Sequence, residues 1–143
     1  MTLTFKYKKI ERPEPLPPED APAIPLTLIG PKEKIDVIGL IDSGADFSFI
    51  PQSTAEILGL DLSAKPEEVG GVGGSIEAVK TRMRINISKG NENYTFPVEV
   101  YVGIGPIKDD FPILIGRNGF FYNFKITFIE SQKRIYLKKD IHQ

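Results

Sequence analysis

The residues best equipped for chemistry sit in one short stretch, Asp42-Ser43-Gly44-Ala45-Asp46. Asp42 follows directly on Ile35–Ile41, a run broken only by Asp36 and Gly39. A carboxylate at the end of so apolar a segment is costly to bury unless something pairs with it or it is used. Residues 43–45 are small, which permits a tight turn and the close approach of another backbone. Taken alone, the motif reads equally well as a loop aspartate capping a turn. The rest of the 143-residue chain narrows the chemistry: it has no cysteine, no tryptophan and a single histidine, the penultimate His142. Thiol nucleophiles, iron–sulfur clusters and thiolate zinc sites are excluded, and a Ser-His-Asp apparatus lacks a plausible base. No metal constellation is visible and no cofactor is expected. An enzyme built from this chain must work with carboxylates, hydroxyls or lysines.

The elements that must position Asp42 are mostly strands. Thr2–Lys9 alternates, with Leu3, Phe5 and Tyr7 on one face, and predicts an N-terminal strand within 1–11. Six of the twelve prolines fall between Pro13 and Pro25. Residues 12–25 are therefore expected to form an extended, polyproline-like surface strap, with a docking site for an SH3-like partner as the lesser reading. Ile24–Ile29 and Ile35–Ile41 predict a hairpin, the second arm buried on both faces. Pro51–Leu60 is the best short helix, capped by Ser53 or Thr54 and ended by Gly59. Ile76–Ile87 and Tyr94–Val102 predict long strands around Lys89-Gly90-Asn91. A Gly-, Pro- and Asp-rich loop at 103–112 leads into Ile113-Leu114-Ile115-Gly116-Arg117-Asn118. Ile126–Ile129 and Arg134–Leu137 predict a last hairpin within 125–143. The expected fold is an all-β single domain, closed or sandwiched, with one or two short helices.

In order and spacing, three blocks resemble the retropepsins, the retroviral-type aspartic proteases. They are the apolar strand running into Asp42-Ser43-Gly44, the glycine-rich Gly70-Gly71-Val72-Gly73-Gly74, and Ile115-Gly116-Arg117-Asn118, and the likeness spans residues 24–124. The resemblance implies a small closed β-barrel that acts as a symmetric homodimer, each chain giving one catalytic aspartate. Asp42 matches that aspartate, with Ser43 and Gly44 supporting its loop. Gly70–Gly74 matches the flap over bound peptide; a phosphate cradle is the weaker reading, since no GK[ST] ending follows. Gly116 matches the glycine packed behind the active-site loop, and Arg117 is placed to brace the site through a bidentate pair with Asp46. Ser43 stands where viral enzymes usually carry Thr, and neither the Pro-rich segment nor the terminal hairpin belongs to the viral pattern. These departures favour a stand-alone cellular or prokaryotic member.

The resemblance implies peptide hydrolysis by a water between two Asp42 carboxylates, one from each subunit. Such carboxylates share a proton, because both cannot ionise at close range. Phe47, Ile50, Val72, Phe111, Pro112 and Leu114 are candidate subsite residues for substrates with hydrophobic side chains at the cleavage site. Asp109 and Asp110 read as loop charges. The terminal hairpin, whose Ile126, Phe128, Ile135 and Leu137 want cover, is the favoured holder of the dimer. The alternative is a catalytically silent dimerisation or peptide-binding module on the same fold. Eighteen Lys and Arg against nineteen Asp and Glu give a net charge of -1. No global basic field therefore points to nucleic acid. No apolar run reaches membrane-spanning length, so a cytoplasmic location without membrane contact is expected.

Overall fold

A computed structural model describes residues 2–11, 15–71, 74–105 and 112–142. The sequence expectations for Val72, Gly73, Asp109, Asp110 and Phe111 lie outside the described residues. Twelve strands follow in chain order: β1 (Thr2–Lys6), β2 (Lys8–Ile10), β3 (Glu19–Ala21), β4 (Ala23–Ile29), β5 (Lys34–Ile41), β6 (Ser48–Pro51), β7 (Glu67–Gly71), β8 (Gly74–Lys89), β9 (Glu92–Gly103), β10 (Ile113–Ile115), β11 (Phe124–Ile129) and β12 (Arg134–Lys139). Among the described residues one α-helix, α1 (Gln52–Leu58), interrupts them, a wide helical turn at Arg117–Phe121 follows β10, and a 3-10 turn at Glu130–Gln132 joins β11 to β12. The mostly-β expectation holds.

The main sheet runs β4-β5-β10-β6-β9-β8-β7, and β8 pairs again with β4 through Thr27–Ile29. The β8–β9 hairpin supplies its longest ladder, from Ala78–Gly103 to Lys89–Glu92, and turns at Gly90 in the left-handed region (φ 62°). Ile24, Leu26, Leu28, Ile85, Ile87, Val100 and Ile115 project into one continuous core. A separate three-stranded sheet, β1-β12-β11, packs Leu3, Phe5, Ile135, Leu137 and Phe124 onto that core.

Four expectations require correction. The apolar strand β5 is buried on one face only: Gly39 and Ile41 are buried, whereas Ile38 is 44% exposed. It has strand neighbours on both edges, but among the described residues no second layer covers its outer face. The Pro-rich segment is not a bare strap, because β3 pairs with β2 and Pro25 lies inside β4. Proline is tolerated there because β8 joins β4 only from Thr27 onward, leaving one edge of Pro25 without a strand partner. The helix starts later than expected, with Pro51 at the N-cap and no side-chain cap, since β6 takes Ser48–Pro51. Ser53 and Thr54 thus fall inside the first turn, while Gly59 ends the helix in the left-handed region (φ 76°). Finally, the terminal hairpin offers only part of its expected apolar face, since Ile135 and Leu137 are covered within the chain while Ile126 is half-buried and Phe128 is exposed on the edge strand β11. Ile135 and Leu137 are fully buried, with β12 held between β11 and the N-terminal β1. Burying each contributes about 1.5–3 kcal/mol within a single chain.

Candidate active site

The Asp42 loop owes its shape to an interleaved topology. β5 and β6 are consecutive in sequence but not neighbours in the sheet, because β10 inserts between them, parallel to β5 and antiparallel to β6. The connection 42–47 therefore crosses the end of β10, where Gly116 passes beneath it. A Cβ on Gly116 would stand 2.4 Å from the Phe47 carbonyl oxygen and 2.8 Å from that of Ala45. Only glycine fits.

Main-chain bonds lock the crossing. The Asp42 N–H donates to the Ile115 carbonyl (2.9 Å), Arg117 N–H to Ala45 (2.8 Å) and Asn118 N–H to Asp46 (2.8 Å). The Gly116 N–H donates to Ser48 Oγ at 3.2 Å, and Ser48 is the one buried polar residue among those described. Ser48 is a loop-bracing residue that the sequence reading missed, although a serine between Phe47 and Phe49-Ile50 is a legible signal. The Asp42 carboxylate folds back to accept the Gly44 N–H at 2.9 Å, which fixes the side chain's direction. Ser43 is exposed and no bond of its hydroxyl is found within the described chain.

Asp46 and Arg117 form the expected ion pair, through one guanidinium nitrogen rather than two. With Arg117 55% and Asp46 71% exposed, water screens the pair, and its contribution is about 0.2–1 kcal/mol. The main-chain bonds and Gly116, more than this ion pair, brace the loop.

Asp42 opens onto a cleft of about 790 Å³. One wall is the 44–49 loop with Leu114, and the facing wall is the β7–β8 hairpin through Val69, Gly70, Gly74, Ser75 and Ile76. The described part of the Gly70–Gly74 segment thus faces Asp42 across an open space. Of the candidate subsite residues, Phe47 and Leu114 line the cleft, while Ile50 is fully buried in the core and Pro112 does not reach it. Phe49, Val69, Ile76 and Tyr101 were not foreseen as lining residues. Tyr101 meets the Phe47 ring edge-on at 5.4 Å, and the Lys80 ammonium stands 4.1 Å from the Phe47 centroid. Burial pushes the Tyr101 phenol above its ordinary value, and the neighbouring Glu67 carboxylate adds to the shift. Among the described residues no group of His, Cys, Asp or Glu could hold a metal ion. No helix of the described chain is long and apolar enough to cross a membrane.

A family description, aspartyl protease, matches residues 25–118, which includes the Asp42 loop, both hairpin strands and the Gly116 crossing. This chain belongs to the aspartyl protease family. Its fold is retropepsin-like: a retropepsin-like aspartic protease from Rickettsia conorii superposes with a TM-score of 0.57 at 17% identity, covering 96% of this chain and 91% of that one. EIAV protease in complex with the inhibitor HBY-793 shares 23% identity over 69% of this chain and 84% of its own, with a TM-score of 0.47. The search of curated proteins returned no match.

Proposed function

We propose that the protein is an aspartic endopeptidase whose active form is a symmetric homodimer, with one Asp42 from each chain. The observation that carries this reading is a half-complete acid–base site. The cleft lining holds two carboxylates, Asp42 and Asp46, and Asp46 is engaged by Arg117. Asp42 has no second carboxylic acid beside it among the described residues, and a two-fold mate would supply one.

In the assembled site one Asp42 carboxylate takes a proton from a water held between the two, and the water oxygen attacks the scissile carbonyl. The other, protonated Asp42 donates to the developing oxyanion, and a proton then passes to the leaving nitrogen. The Gly44 N–H bond and the Gly116 crossing hold the carboxylate in place for this exchange. Gly70–Gly74 serves as a flap, and Phe47, Val69, Ile76 and Leu114 select substrates with hydrophobic residues at the cleaved bond. The closed-barrel reading is supported by β4, which pairs with both β5 and β8. With Ile135 and Leu137 covered inside the chain, the proposed contact between copies is the rim of the cleft, 42–47 and 117–122. The test is cleavage of an unbiased peptide library, with Asp42→Asn as control. Cleavage by the parent and none by the variant is expected. Cleavage that survives in Asp42→Asn refutes the mechanism.

A further inference from the structure

The outer face of the β1-β12-β11 sheet carries a charge pattern that proteolysis does not use. Leu3, Phe5, Ile135, Leu137 and Phe124 point inward, so the alternate residues form the opposite face. The register arranges that face in three rows: Thr2–Lys138–Lys125, Thr4–Tyr136–Thr127 and Lys6–Arg134–Ile129. Two of these rows set like charges directly across from one another, Lys125 against Lys138 and Lys6 against Arg134. Such pairs lie about 5 Å apart and are destabilising. None of the nine positions is acidic, and no ion pair of the described residues involves Lys6, Lys125, Arg134 or Lys138.

A second observation points the same way. Beside β1 at the Lys6–Arg134 end lies a cavity of about 550 Å³, lined by both cations with Phe5, Lys8, Pro25, Ser88 and Lys89 and by no acid. Lys89 is held in place, its ammonium bonded to the Thr4 carbonyl and set 4.6 Å from the Phe5 ring centroid. Six cations thus gather on one side of a chain whose net charge is only -1. The near-neutral total conceals a local basic field.

We infer that this face binds single-stranded nucleic acid. The two cation pairs sit four residues apart on β12, about 13 Å, and each cation can meet one backbone phosphate. Between them the Tyr136 ring, tethered by its hydroxyl to Gln132 (3.4 Å), and the Thr4 and Thr127 hydroxyls meet a base and its sugar. A basic track with an aromatic platform is the physical pattern of sequence-tolerant strand binding. A membrane surface is disfavoured because no large apolar side chain projects from the middle of the face. An acidic peptide would leave the aromatic row unused.

The test uses full-length protein carrying Asp42→Asn, so that its outcome is independent of peptide cleavage. Anisotropy of fluorescein-labelled (dT)12 and (rU)12 is followed from 50 to 200 mM NaCl. Binding is expected with a slope of log K against log salt of about -3 to -4, from four to six phosphate contacts. Lys6→Ala with Arg134→Ala reduces that slope by about 1.4 and leaves Tm unchanged or higher, because a repulsion is removed. Tyr136→Leu weakens binding roughly tenfold. Lys65→Ala, away from the face, changes nothing. Absence of binding at 50 mM salt, or an unchanged slope in the folded double variant, overturns the inference. So does equally tight binding of polyglutamate or of phosphatidylglycerol vesicles.

Discussion

Replacing Gly116 by alanine separates the geometry of the loop from the stability of the fold. Gly116 has an ordinary extended backbone (φ -91°, ψ -171°), so alanine meets no conformational strain there. The obstacle is steric: the new Cβ lies 2.4 Å from the Phe47 oxygen, 2.5 Å from the Phe47 carbonyl carbon and 2.8 Å from the Ala45 oxygen. All three are backbone atoms of the Asp42 loop, so the loop must retreat by roughly 0.6 Å to reach the 3.0 Å that real Cβ atoms keep. Overpacking of this kind costs about 1–3 kcal/mol, and loosening the Arg117–Ala45 bond adds about 1 kcal/mol. A total near 3 kcal/mol lowers Tm by roughly 6–12 °C in a chain of this length. A displacement of that size in the segment carrying Asp42 should reduce kcat by roughly ten- to a hundredfold, with KM less affected. Gly39→Ala is the matched control. Its Cβ meets side-chain rather than backbone atoms, Ile115 Cγ1 and Leu26 Cδ1 at 2.8 Å and Ile115 Cδ1 at 3.3 Å, which can repack. Calorimetry with steady-state peptide cleavage should show Gly39→Ala losing stability but keeping kcat, and Gly116→Ala losing both. A Gly116→Ala protein with parental Tm and kcat would refute the reasoning.

Ser48→Ala leaves the Gly116 N–H without its acceptor and should cost about 1–3 kcal/mol, read as a loss of roughly 2–12 °C in Tm; a parental Tm contradicts the role given to Ser48. Arg117→Ala removes an exposed ion pair and should lower stability by no more than about 1 kcal/mol in chemical denaturation. A loss of several kcal/mol would show that the ion pair, not the main chain, braces the loop. Burial and nearby glutamates raise the phenols of Tyr7 and Tyr101, and a bond to Glu92 raises that of Tyr94, all above 10.0. The folded state therefore holds these protons more tightly than the unfolded one. Their stabilisation is complete below pH 10 and fades as pH rises through the folded values. Absorbance titration near 295 nm should show one fewer late-ionising tyrosine in Tyr101→Phe, and an unchanged curve contradicts the assignment. Peptide cleavage should follow a bell in pH on the acid side of neutral, since the proposed dyad works with a single shared proton; a rate rising steadily to pH 9 contradicts it.

The sequence made the site legible where chemistry and periodicity coincided. An aspartate at the end of an apolar strand, a glycine cluster and a later Ile-Gly-Arg all met around one cleft, although they are separated by up to 74 positions, from Asp42 to Gly116. The sequence could not reveal that β10 slips between β5 and β6, and that insertion is what brings Gly116 under the Asp42 loop and against Ser48. Apolar content misled in β5, because Ile38 and Leu40 are hydrophobic yet face outward, and composition cannot say whether a second layer exists. Proline counting misled at Pro25, because a strand with one open edge accepts it. The terminal hairpin was found, but cover for its β12 arm was sought in a second subunit when β1, from the N-terminal part of the chain, supplies it. Net charge hid the basic sheet face for a related reason: alternation along three strands, not the total, sorts the cations onto one side.

The central claim is that one active site needs Asp42 from two chains. It is tested most directly by co-refolding wild-type protein with Asp42→Asn at fixed total concentration and measuring peptide cleavage against the wild-type fraction. If the dyad is shared and mixed pairs are inert, activity follows the square of that fraction, and an equal mixture retains about a quarter of the full rate. A straight line, with half the rate at an equal mixture, would mean that each chain works alone and would contradict the account.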